Sequence, residues 1–170
     1  TRIAGADSRA QTLYYLSTET SSLQRQLFSI RFDGTNQRRL TQTQGNHTID
    51  MSPDARYYID RWSNTSQPRQ VELWATAATG SQMLRRIEDN AGVTTWLTTH
   101  AYSPTELFSF TTSDGQRLDG SMVRPPDFDS TRAYPVIFAI YGGPGSQGVY
   151  DQFGAGTWTQ WLAQDGYAVV

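Results

Sequence analysis

One pattern in the first hundred residues repeats at a nearly constant offset, and no other feature restricts the fold as tightly. Tyr14-Tyr15-Leu16 returns as Tyr57-Tyr58-Ile59, 43 residues on. Leu27-Phe28 returns as Leu73-Trp74 and Gly34-Thr35 as Gly80-Ser81, each 46 on; Arg38-Arg39-Leu40 returns as Arg85-Arg86-Ile87, 47 on. Four features in one order argue against chance. A repeat of this length built from short strands is the signature of β-propeller blades. A blade buries its faces against neighbouring blades, so two need further ones, and the chain is expected to be one stretch of something longer.

The strands can be placed from the pattern. Residues 12–17, 26–32 and 38–40 read as three strands of one blade. Residues 48–51 begin the next, and 57–62, 72–77 and 83–87 complete it. Asp33-Gly34 and Thr79-Gly80 stand where hairpin turns are needed, because glycine tolerates φ > 0. Ser52-Pro53-Asp54 reads as a turn between strands.

After about Thr99 the pattern changes. Residues 106–112 and 117–124 flank Ser113-Asp114-Gly115-Gln116, a hairpin signal. Pro135–Tyr141 (PVIFAIY) is a nearly continuous apolar run, expected as a strand buried on both faces of a mainly parallel sheet. A glycine-rich segment, Gly142–Gly148, follows. Thr157–Gln164 carries Trp158, Trp161 and Leu162 at amphipathic helix spacing, with the two tryptophans expected in the core or, as the alternative, lining a partner interface. Asp165-Gly166 stops the helix and Tyr167–Val170 begins another buried strand. Hairpin, buried strand, glycine-rich loop, helix and buried strand is how an α/β-hydrolase sheet begins. The expected fold class is therefore β-propeller blades (all-β) joined to the start of an α/β-hydrolase domain. The expected division is 1–100 for the blades and 101–170 for the second unit.

Composition narrows the chemistry. The formal net charge is −2, which excludes a nucleic-acid binder working through a basic surface. The chain has no cysteine, so disulfides, CxxC redox chemistry and zinc–thiolate sites are excluded. All 14 basic residues are arginine, which rules out Walker A phosphate binding and lysine Schiff bases in these residues. No apolar run reaches the ~20 residues of a membrane-spanning helix.

The segment with chemical promise is Tyr141-Gly142-Gly143-Pro144-Gly145-Ser146-Gln147, directly after the apolar run. Ligands bind at the carboxyl edge of open α/β sheets, and glycines there let the backbone approach a substrate carbonyl. Residues 136–147 (VIFAIYGGPGSQ), with the tryptophan-bearing helix and GYAVV after them, resemble the prolyl oligopeptidase family of serine peptidases, in its dipeptidyl peptidase IV branch. The blade text agrees over nearly the whole chain: YYLSTE, LFSIRFDGTNQRRLT, HTIDMSPDARYYID and the IEDN of Ile87–Asn90.

The resemblance implies that Tyr141 lends its phenolic O–H to the oxyanion hole, while Gly142, Gly143 and Pro144 shape its loop. It implies an exopeptidase that releases N-terminal dipeptides (X-Pro or X-Ala) through an acyl-enzyme. No metal or organic cofactor is required. The implied partner is a peptide with a free N-terminus, and the resemblance allows a homodimer and points outside the cytoplasm. Nucleic acid is not an implied partner, and these residues supply no membrane span.

The nucleophile, base and acid of that family are absent here. No Gly-x-Ser-x-Gly elbow occurs; Ser146 has Gly148 two after it but Pro144 two before, and reads as a loop serine. The chain alone is expected to be inactive. His47 and His100 read as surface or strand histidines with no carboxylate placed to orient them. Asp50, Asp54 and Asp60 read as turn and strand-edge residues, without calcium-loop spacing. Glu19 and Glu106 are not candidates to grip a substrate amine. The sequons at Asn46 and Asn64 are of a kind that arises by chance in a chain rich in serine and threonine. Two other readings fit the same residues. One is a non-catalytic peptide-binding or interaction protein on this scaffold. The other is an acylaminoacyl, tripeptidyl or oligopeptidase relative.

Overall fold

The structure is a computed structural model that describes every residue except Pro144, Ser146 and Ala155. The repeat becomes two four-stranded antiparallel sheets. The first is β1 (Arg2–Asp7), β2 (Thr12–Ser17), β3 (Gln26–Arg31) and β4 (Arg38–Arg39), side by side in that order. The second is β5 (Asn46–Met51), β6 (Tyr57–Ser63), β7 (Gln70–Ala77) and β8 (Gly80–Glu88).

The register shows why the repeated residues recur. Tyr15 faces Phe28 and Leu16 faces Leu27 in the first sheet; Tyr58 faces Trp74 and Ile59 faces Leu73 in the second. Each pair of rings stacks, with centroids 5.6 Å apart for Tyr15–Phe28 and 6.2 Å for Tyr58–Trp74. Cross-strand aromatic pairs of this kind stabilise antiparallel ladders.

The reading of the first blade as three strands missed β1. Its sequence, RIAGAD, has little strand propensity of its own. It is extended because it pairs with β2 from Arg2 opposite Leu16 to Asp7 opposite Thr12. Tertiary pairing decides such a segment.

The core lies between the sheets. Tyr14, Leu16, Leu27 and Leu40 of the first pack with Ile49, Ala55 and Tyr58 of the second in one buried cluster. Arg25 bridges Asn46 at the seam, and the His47 N–H donates to the Arg25 carbonyl at 3.0 Å. Gly45 turns the chain into β5 at φ 135°, and a Cβ there would lie 2.2 Å from the Ser63 carbonyl oxygen, so no other residue fits. The Ser52-Pro53-Asp54 turn forms as expected. The Ser52 hydroxyl donates to Asp54 at 2.7 Å, and that bond, then Arg56, pulls the Asp54 carboxyl down to about 2.

A third sheet follows, in the order β11-β12-β10-β9. β9 (Thr105–Thr111) and β10 (Arg117–Val123) form the expected hairpin. β12 (Ala168–Val169) lies antiparallel to β10 and parallel to β11 (Val136–Ile137). The helix α2 (Thr157–Gln164) sits in the connection between the two parallel strands. It ends as the sequence indicates, on Asp165 and on Gly166 at φ 88°. A helix α1 (Ala91–Thr99), which the sequence reading did not anticipate, occupies the stretch before β9. Its run of threonines and its weak apolar face carry little helical signal, and none of its residues is buried.

Two expectations about burial are corrected. The run Pro135–Tyr141 forms only a two-residue strand, although the bonds Ala168 N–H to Pro135 O (3.0 Å), Val170 N–H to Ile137 O (2.8 Å) and Ala139 N–H to Val170 O (2.7 Å) continue its pairing. Phe138 is 71% exposed and Ile140 89%. Among the described residues β11 is an edge strand with β12 as its single sheet neighbour, and Val136 is left exposed while Ile137 is half-buried. Trp158 and Trp161 are also exposed; α2 turns Leu162 and Ala163 inward instead.

Candidate functional site: the loop after β11

Tyr141 stands just beyond the carboxyl end of β11, where a parallel strand delivers residues to the sheet edge. Its side chain is 63% exposed. The ring folds back over the loop: a Cβ placed on Gly143 would meet the Tyr141 Oη at 2.6 Å and its Cζ at 2.9 Å. Gly143 is thus tied to the tyrosine by close approach. Among the described residues none comes within 4 Å of a virtual Cβ on Gly142. Pro144, the third expected loop-shaping residue, and Ser146 lie outside the described residues.

Past the loop, residues 147–153 run against the two blades. The Gln147 Nε2 donates to the Ser22 carbonyl at 2.8 Å. Asp151 is 8% exposed and bonds in four directions. Its Oδ2 accepts from Gln24 Nε2 at 3.0 Å and its Oδ1 from the Thr65 N–H at 3.0 Å. Its own N–H donates to the Leu23 carbonyl at 2.9 Å, and its carbonyl accepts from Asn46 Nδ2 at 3.1 Å. The Phe153 N–H donates to Ser63 Oγ at 3.2 Å. A lone Asp in a glycine-rich loop gives no sequence signal for this role.

The histidines differ from expectation in one respect. His100 is as foreseen, exposed at the end of α1 and stacked on Trp96 at 4.0 Å. His47, read as lacking a carboxylate partner, is 2% exposed with its Nδ1 2.8 Å from Asp60 Oδ2, and Asp60 is 1% exposed. Asp60 is therefore a central, buried residue of β6 and not a strand-edge one. His47 Nε2 lies 3.1 Å from the Thr43 carbonyl, so both ring nitrogens face acceptors. The ring is thus held at both nitrogens, by the Asp60 carboxyl and by the Thr43 carbonyl.

Directly across the sheet from Asp60 is Glu72, also buried. It accepts from Trp62 Nε1 (3.2 Å), Trp74 Nε1 (3.1 Å) and Arg86 Nη2 (3.1 Å). Burial raises the Asp60 carboxyl above its ordinary value; bonding to His47 opposes this and the Glu72 charge adds to it. The period-2 alternation Tyr58, Asp60, Trp62 was the available sign that Asp60 faces inward. The pair sits inside the second blade, with both side chains almost wholly buried. Glu19 and Glu106 are occupied by Gln37 and Arg124 respectively. Among the described residues no cluster of three His, Cys, Asp or Glu side chains could hold a metal ion.

Two four-stranded antiparallel sheets in matched register, packed on each other through one core, define blades of a β-propeller, here running on into a Tyr-Gly-Gly loop at a sheet edge. Residues 1–69 match the model of the dipeptidyl peptidase IV N-terminal region. A probable dipeptidyl-aminopeptidase B of Botryotinia fuckeliana is 32% identical over 169 residues, covering 98% of this chain and 18% of the relative. The corresponding protein of Emericella nidulans is 34% identical over 160 residues, 93% of this chain and 17% of the relative. The crystal structure of Porphyromonas gingivalis dipeptidyl peptidase 4 superposes with a TM-score of 0.89 at 31% identity, over 99% of this chain and 23% of that one. By these comparisons the chain resembles one stretch of proteins of the dipeptidyl peptidase IV family. It spans less than a fifth of the curated relatives it matches most fully.

Proposed function

We propose that the whole protein of which these residues are a part is a serine exopeptidase that removes N-terminal dipeptides, with proline or alanine before the scissile bond. In this reading residues 1–100 are propeller blades that restrict access to short peptides. Residues 101–170 open the α/β-hydrolase domain that carries the chemistry, and Tyr141 is an oxyanion-hole donor. The observation that carries it is the placement of Tyr141. Its phenol is exposed at the carboxyl edge of a parallel strand pair and is folded over Gly143, in a chain whose relatives are named as dipeptidyl peptidases.

The chemistry suits the group. When a serine hydroxyl adds to a peptide carbonyl, negative charge develops on the carbonyl oxygen. A phenolic O–H held at 2.7–3.1 Å donates to that oxygen more strongly than to the neutral carbonyl, so it lowers the barrier. A ring with few rotatable bonds aims the donor at small entropic cost. The nucleophile and its base and acid would come from residues outside this stretch, which holds no Gly-x-Ser-x-Gly.

The test is kinetic. The full-length protein should turn over a Gly-Pro p-nitroanilide, and Tyr141→Phe should lower kcat about 10²-fold, the usual cost of one lost oxyanion donor. An undiminished kcat in the variant removes Tyr141 from the mechanism. No turnover of any dipeptidyl substrate by the wild type removes the peptidase reading.

A further inference from the structure

We infer that Asp151 is a positioning residue: it pins the segment after the Tyr141 loop onto the seam between the two blades and thereby holds the tyrosine in place. The catalytic part of this inference rests on the peptidase reading above; the clasp itself does not.

The argument begins with the partners. The Asp151 carboxylate is buried, and no arginine lies within ion-pair distance of it among the described residues. A buried carboxylate is tolerated where donors converge on it, and here they come from two blades. Gln24 belongs to the β2–β3 connection of the first blade; Thr65 belongs to the β6–β7 connection of the second. The main chain of Asp151 adds Leu23 of the first blade and Asn46 of the second. Asn46 itself donates to Leu23 O at 2.9 Å, so the clasp closes on the place where the blades already touch.

Gln147 and Phe153 add one bond each on either side, to Ser22 and Ser63. A further link runs from Ser22 Oγ to Asp119 of β10 at 2.8 Å. Five residues separate Tyr141 from Gln147. What limits the swing of the tyrosine on that side is therefore the anchored stretch 147–153. A loop rigidly anchored at its far end keeps a donor within the narrow geometry that transition-state stabilisation demands.

Asp151→Asn removes one acceptor while keeping shape. The Thr65 N–H can still find Oδ1, but an Nδ2 now faces the Gln24 amide donor. Adding Gln24→Glu restores a donor–acceptor pair with the roles reversed. It also keeps the acceptor that Gln26 Nε2 uses at 3.2 Å. Two measurements on the full-length protein decide the matter.

In hydrogen exchange, Asp151→Asn should speed the amides of residues 147–153 about tenfold while peptides from β3 and β6 keep their protection, and Gln24→Glu added to it should bring the rate back. Unchanged exchange, or equal loosening of the blades, overturns the clasp, whether or not the protein is a peptidase. In kinetics, Asp151→Asn should lower kcat about tenfold with KM within twofold. The roughly 10²-fold effect of Tyr141→Phe should shrink to below tenfold in the Asp151→Asn background, since the two changes strike one interaction. An undiminished Tyr141→Phe factor in that background overturns the positioning role. A Tyr141→Phe variant of full activity overturns it as well, together with the oxyanion reading.

Discussion

Replacing His47 by alanine isolates the cost of a buried carboxylate in the second blade. In the structure His47 supplies Asp60 with its hydrogen bonds, at 2.8 and 3.0 Å to the two oxygens, and both side chains are almost wholly inaccessible. Without the ring, Asp60 either stays ionised with no cation beside it and Glu72 opposite, or takes up a proton. The proton route limits the loss. Starting from an ordinary carboxyl value of 3.8, holding the group neutral at pH 7 costs about 1.4 kcal/mol for each of roughly three pH units, or about 4 kcal/mol. That falls within the ~3–5 kcal/mol expected for breaking a buried pair by removing one partner. The sign with pH follows from the direction of the shift. Burial holds Asp60 above its ordinary value, so this one group's contribution to stability is complete below pH 3.8 and is lost as pH rises through the raised folded value. Removing His47 takes away the hydrogen bond that opposes the rise and widens that window. Equilibrium urea unfolding, followed by the fluorescence of Trp62, which stacks on His47 at 6.0 Å, should show a gap of up to about 4 kcal/mol between wild type and variant at pH 7, since the wild type already bears part of the same cost. The gap should narrow to at most about 2 kcal/mol at pH 5. A gap below ~1 kcal/mol at pH 7, or one that does not narrow on acidification, would refute the reasoning.

How far the sequence exposes this structure depends on whether a residue's partner is local. The blades were legible because Tyr15–Phe28 and Tyr58–Trp74 are the same contact made twice, and a repeated contact leaves a repeated spelling. The α2 helix was legible because its stop, Asp165-Gly166, is a local backbone device. β1 was not, since RIAGAD is extended on account of β2 and not of itself. Asp60 was misread because a single aspartate between Ile59 and Arg61 looks like an edge, whereas its role is set by His47, 13 residues earlier. Asp151 lies farther still from its partners, 127 residues from Gln24 and 105 from Asn46. The Pro135–Tyr141 run shows the opposite limit. Its apolar wording describes the surroundings a strand requires, and among the described residues it gains one sheet neighbour, with Phe138 and Ile140 left exposed. Tyr141 itself was found through the wording of its neighbours, while the reason for Gly143 beside it, a ring lying where a side chain would be, came only from coordinates.

Two further outcomes test the same picture of the blades. Gly45→Ala should cost at least ~2 kcal/mol in urea unfolding or prevent folding, because φ 135° is strained for alanine and its Cβ would strike the Ser63 carbonyl; a loss under ~0.5 kcal/mol would mean that the turn into β5 has other conformations open to it. Asp60→Asn should behave very unlike His47→Ala. An asparagine Nδ2 can donate to His47 Nδ1 while Nε2–H still donates to the Thr43 carbonyl, so both ring nitrogens keep a partner and the repulsion from Glu72 disappears. The expected loss at pH 7 is under ~1 kcal/mol, and the variant's own stability should depend less on pH than the wild type's, since the titrating carboxyl is gone. If Asp60→Asn instead destabilised as much as His47→Ala, the charge on Asp60 would be worth more to the blade than its hydrogen bonds, and the burial argument for both variants would have the wrong sign.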